Sequence, residues 1–86
     1  MPDEAMLRER ARIVLREGRL PNRRPDRTYG GHGSGVVCAI CGLKTIKEDA
    51  ELEIEFDRDD GNPGMDRHYL HPPCFAAWEF ERTKMR

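Results

Sequence analysis

Two short pairs of residues constrain this chain more than any other feature. Cys38 and Cys41 stand in "CAIC", followed by Gly42; His71 and Cys74 stand in "HPPC", and 29 residues separate the pairs. Three cysteines cannot all pair within one chain and are too few for a disulfide scaffold. Three thiolates and one imidazole, by contrast, are a standard tetrahedral set for structural zinc. The first pair makes a tight turn that can present both sulfurs to one ion. The second lies at the mouth of a helix, whose N-terminal dipole favours a thiolate. The spacing therefore predicts one structural Zn2+ held by Cys38, Cys41, His71 and Cys74. His68, three residues upstream, is the competing fourth ligand, and the H-x2-C separation favours His71. With all four positions filled by protein, no site remains for water or substrate, which argues against metal catalysis.

A metal also answers a shortage of core. The 86 residues are 37% hydrophobic and 36% charged, a thin supply for one domain, and a bound ion is a usual staple at this size. "MPDEAMLRER" lacks the apolar stretch of a signal peptide, and no run of about 18 apolar residues occurs. A soluble, cytoplasmic chain with reduced thiols and no membrane partner is expected. Charge is uneven. Residues 1 to 35 carry eight arginines against five acids, whereas residues 36 to 76 carry four basic side chains against nine acids.

The order of elements reads α+β: a basic helix, then a small zinc domain of knuckle, antiparallel hairpin and C-terminal helix. Residues 1–19 form the basic amphipathic helix, running from about Asp3 to Glu17 with Asp3 as N-cap and Gly18 ending it. Leu7, Ala11, Val14 and Leu15 share one face, with Met6 and Ile13 at its edge. Arg8, Arg12, Arg16 and Arg19 form a ridge, read as a solvated face or as contacts to an anionic partner. Residues 20–35 read as an arginine, proline and glycine-rich arm or linker; "GGHGSG" there lacks the lysine of a phosphate loop, and His32 is a loop side chain. Residues 36–86 form the zinc-binding domain. In "ELEIEF" Leu52, Ile54 and Phe56 alternate with Glu51, Glu53 and Glu55, so a buried face backs onto a carboxylate row in water. "DRDDGNPG" turns the chain into "MDRHYL". The closing helix starts at the prolines, and Phe75, Ala76, Trp78 and Phe80 are its expected packing residues, Phe75 and Trp78 covering the metal site.

The ligand order, with Phe directly after the last cysteine and Trp soon after, resembles the poly(ADP-ribose) polymerase type zinc finger, a treble-clef-like arrangement. The resemblance spans about Val37 to Phe80. It implies Cys38, Cys41, His71 and Cys74 as zinc ligands, Phe75 and Trp78 as packing aromatics, and binding at DNA breaks through backbone contacts and an apolar loop. The charge departs from that implication: the finger is acidic, while nucleic-acid affinity depends on cations that neutralise phosphates.

These readings converge on a non-catalytic, zinc-stapled regulatory or adaptor module that recognises another protein and needs no small-molecule substrate. The alternative is a nucleic-acid binder in which Arg8, Arg12, Arg16, Arg19, Arg23, Arg24 and Arg27 contact phosphate and the finger is scaffold.

Overall fold

A computed structural model describes residues 3–58, 61 and 63–84. The elements run α1 (Glu4–Arg16), β1 (Arg27–His32), β2 (Ala50–Asp57), β3 (Met65–Leu70) and α2 (Pro72–Lys84). The strands form one antiparallel sheet in the order β1-β2-β3. Helix α2 lies between the sheet and α1, packing against β2 on one side and α1 on the other. No described helix is long and apolar enough to cross a membrane.

Local chemistry sets the ends of α1. The Asp3 carboxylate accepts from the Met6 N–H at 2.9 Å, satisfying one of the free donors of the first turn. At the other end Gly18 takes φ 72°, and the Arg19 and Gly18 N–H groups return to the carbonyls of Val14 and Leu15 at 3.1 and 3.2 Å. This is the paired closure that a left-handed glycine permits. Between the ends, Leu7, Ala11, Val14 and Leu15 are buried, whereas Met6 is exposed.

The inner face of α2 differs from the expected one. Cys74, Ala77, Trp78, Glu81 and Arg82 are buried, at the i, i+3, i+4, i+7, i+8 positions of a single stripe. Ala76 and Phe80, expected in the core, lie off that stripe and are exposed, Phe80 by 46%. Phe80 instead flanks α1, where the Arg8 guanidinium lies 4.2 Å from its ring centre. The stripe admits two charged residues because each has a partner: Arg12 of α1 reaches the buried Glu81 at 3.1 Å, and Arg82 pairs with Glu79 of α2 at 2.7 Å.

Two further expectations are corrected. Residues 20–35 are not a free arm, because 27–32 pair with β2 from Arg27 opposite Glu55 to His32 opposite Ala50. The carboxylate row is a solvated face only in part, since Glu51 and Glu53 are partly exposed and Glu55 is buried. Glu55 is only 4% exposed, held by Arg27 at 2.8 Å and by Arg67 at 3.2 Å. Arg27 first, then a hydrogen bond with the Glu53 carboxyl and then Arg67, act against burial and keep its carboxyl below the usual carboxylate range. The turn expected over 57–64 falls partly on 59, 60 and 62, which lie outside the described residues.

The glycine-rich stretch has a structural purpose at Gly33. Its N–H donates to the Asp49 carbonyl at 2.9 Å, and a Cβ there would lie 1.9 Å from the Ile46 carbonyl oxygen. That atom belongs to backbone, which cannot swing aside as a side chain does. Gly33→Ala is therefore expected to cost about 1–3 kcal/mol in chemical denaturation. Gly31→Ala, with nothing within 4 Å of its Cβ, serves as the tolerated control.

Candidate metal centre

The first ligand pair sits on a small knuckle. Val37 and Lys44 form an isolated bridge, the Cys38 N–H donates to the Leu43 carbonyl at 2.9 Å, and the Gly42 N–H donates to the Cys38 carbonyl at 3.1 Å. Gly42 has φ 77°, which lets the chain turn sharply after Cys41. One further bond fixes the knuckle to the sheet: the Ala39 N–H donates to the Tyr69 carbonyl of β3 at 2.9 Å.

The second pair follows two residues later along β3 and α2. His71 comes directly after Leu70, the last residue of β3, and Cys74 lies in the first turn of α2. The Phe75 N–H donates to the His71 carbonyl at 2.9 Å, so the helix begins at the ligand itself. Pro72 and Pro73 occupy first-turn positions, where a missing N–H leaves nothing unpaired.

These two pieces bring Cys38, Cys41, His71 and Cys74 together. All four are buried, and their ligand atoms lie within 4.8 Å of one another. Cys41 Sγ is 3.4 Å from His71 Nδ1. Metal bonds of about 2.3 Å to sulfur and about 2.0 Å to nitrogen in a tetrahedron require about 3.5 Å for such a pair. The four residues can thus hold one metal ion. His68 is not among them. Its half-buried ring lies on the core face of β3, 6.0 Å from the ring centre of Phe56 at an edge-on angle.

The electrostatics of the donor set also suit a cation. The Cys38 thiol is pulled strongly down, first by a hydrogen bond from Cys74, with backbone N–H groups of Cys41, His71 and Ile40 adding to it against burial. The Ile40 bond to Cys38 Sγ measures 3.4 Å. Cys74 is pushed far up by its bond to Cys38 and then by burial, and burial raises Cys41. One thiolate forms here at the expense of its neighbours, so all three can ionise together only around a positive ion.

No protein-family model, curated protein or solved structure matches the chain.

Around the site, Trp78 is fully buried between Phe56, at 6.1 Å between ring centres, and Phe75, at 5.7 Å. A support that the sequence did not signal lies at Glu51. Its Oε1 accepts from the Ser34 hydroxyl at 2.8 Å, the Ser34 N–H at 3.1 Å and the Thr45 hydroxyl at 2.8 Å. Burial opposes ionisation of Glu51, yet these bonds outweigh it and keep the carboxyl below its ordinary value. Glu51 thereby anchors to β2 the two ends of the loop that carries the knuckle. A lone glutamate, a serine and a threonine far apart in sequence offer no local pattern from which to foresee this.

Most of the arginines singled out as phosphate contacts are already engaged. Arg8 pairs with Glu4, Arg12 with Glu9 and Glu81, Arg19 with Glu17, Arg23 with Asp26, and Arg27 with Glu55 and Asp57. Arg16 and Arg24 are exposed and form no ion pair among the described residues. The seven do not form one surface: Arg27 lies in the sheet, while Arg8, Arg12 and Arg16 lie on α1.

Proposed function

We propose that this is a non-catalytic protein-interaction module built on one structural Zn2+, held by Cys38, Cys41, His71 and Cys74 in a treble-clef-like arrangement of the poly(ADP-ribose) polymerase finger type. The observation that carries this reading is the closeness and burial of the four ligand atoms. Three sulfurs and one nitrogen suit zinc among the common divalent metals. Four protein ligands complete a tetrahedron, so the ion's work is to stabilise the fold and present a surface to a partner. The inherited arrangement does not bring the family's DNA grip with it.

Support for a protein partner over nucleic acid comes from charge. An ion pair made within the chain must be broken or shared before its arginine can neutralise a phosphate, and most of the candidate arginines are paired. The test uses zinc-loaded protein, one zinc per chain by native mass spectrometry, titrated against nicked and intact duplex DNA over a salt series. No preference for nicks is expected, and affinity no tighter than about 100 µM at physiological salt. Nick-selective, salt-sensitive binding at about 1 µM or below would replace this reading with the DNA-binding one.

A further inference from the structure

The sheet has two faces, and the helices cover one. Ile54, Phe56 and Leu70 are buried on the inner side, against which α2 packs. Strand alternation and the observed register place Arg27, Tyr29 and Gly31 of β1, Glu51, Glu53, Glu55 and Asp57 of β2, and Arg67 and Tyr69 of β3 on the outer side. No described helix or strand covers that side. In the middle of it Glu53 stands directly opposite Tyr29 on one strand and Tyr69 on the other.

We propose that this outer face binds a basic segment of a protein partner, seating a lysine or arginine side chain on Glu53 between Tyr29 and Tyr69. The proposal rests on the reading of the chain as a protein-interaction module and names the chemistry of its partner. Three of the four carboxylates are already used. Glu55 is clamped by Arg27 and Arg67, Asp57 pairs with Arg27, and Glu51 holds Ser34 and Thr45. Glu53 has only the Arg67 Nε at 3.7 Å as a cationic partner, a guanidinium shared with Glu55 at 3.2 Å and with the Tyr69 side chain, and its carboxyl also hydrogen-bonds that of Glu55. Glu53 therefore lacks the close guanidinium or hydroxyl partner that each of its neighbours has.

The flanking rings add a second kind of cation recognition. Directly opposed residues in an antiparallel sheet have Cβ atoms about 5 Å apart, so both tyrosines lie within reach of a cation seated on Glu53. An ammonium or guanidinium gains from a carboxylate and from an aromatic face together. Tyr29 is 51% exposed on β1, an edge strand of the sheet, which leaves the approach open. Four carboxylates against two guanidiniums give the face a net negative charge. A basic peptide is drawn to such a surface and a phosphate backbone is repelled.

The test titrates the zinc-loaded 86-residue chain with a blocked hexapeptide of alternating glycine and lysine, followed by amide NMR, against glycine-glutamine and glycine-glutamate peptides of the same length. Saturable shifts centred on 29, 53 and 69 are expected with the lysine peptide alone. Glu53→Gln and Tyr29→Ala are each expected to weaken binding about threefold while the rest of the spectrum keeps its folded pattern. Equal shifts with the glutamine peptide, shifts centred elsewhere, or unchanged affinity in both variants would overturn the seat. A cross-linked, purified protein partner that binds both variants as tightly as the parent chain would also overturn the seat, yet leave the interaction module standing. Nick-selective DNA binding in the salt series would instead remove the module reading itself.

Discussion

Removing zinc from the loaded protein with a strong chelator is expected to unfold the domain, seen as loss of helical far-ultraviolet circular dichroism and recovered when zinc is returned. Structural zinc contributes on the order of 10 kcal/mol, which matches or exceeds the total stability of most small domains. Three of the buried core residues are the cysteines themselves. Without an ion they meet as thiols that compete for protons, alongside a buried imidazole, in place of packed hydrocarbon. Cys74→Ser should therefore behave like the chelated chain even with excess zinc. An apo protein that kept its helices and melted cooperatively would show that α1, α2 and the sheet suffice without the ion, and would end the structural-zinc reading.

Trp78→Ala is expected to produce the next largest loss, about 3–5 kcal/mol in chemical denaturation of the zinc-loaded protein. The ring is fully buried, meets Phe56 edge-on and Phe75 at a tilt, and has the Arg82 guanidinium 5.2 Å from its centre. Removing it empties the junction between the sheet and α2, which α1 closes from the far side. Phe80→Ala, at an exposed position of the same helix, should change stability by only about 0.5 kcal/mol. A Trp78 loss no larger than that of Phe80 would contradict the packing described for α2.

What could be read from the sequence, and what could not, follows from the range over which each signal acts. The ends of α1 were legible because Asp3 and Gly18 act within a turn of their own backbone. Strands β2 and β3 were legible because Leu52, Ile54 and Phe56 alternate with acids and "MDRHYL" follows a dense turn. The grouping of Cys38, Cys41, His71 and Cys74 was legible because ligand type and short spacing are themselves the chemistry. Strand β1 was not, because "RTYGGH" has no apolar alternation to bury; its reason to pair is the acid row, where Arg27 meets Glu55 and Asp57 some thirty residues away. For α2, apolarity pointed to Phe80, whereas the packed stripe includes Glu81, which Arg12 on another helix neutralises, and Arg82, which pairs with Glu79 one turn earlier. For β1 and for Glu81 the sequence signal failed because the charge that decides the residue's place lies on a different element.

The bond from the Ala39 N–H to the Tyr69 carbonyl, together with His71 following β3 without a spacer, makes the meeting of the four ligand atoms sensitive to how the hairpin is aligned. In the native register Glu53 lies opposite Tyr69 and Leu52 opposite Leu70. A slip of one residue would carry His71 and Cys74 about 3.3 Å along the strand and turn Leu70 outward. That displacement exceeds a whole metal-ligand bond, so a misaligned hairpin would leave the knuckle with only two of its four donors. With the proposed zinc bound there, metal capture would act as a gauge of strand alignment. It would reward one pairing among several that the polar outer row alone would tolerate, and turn a local misfold into a failure to capture the ion.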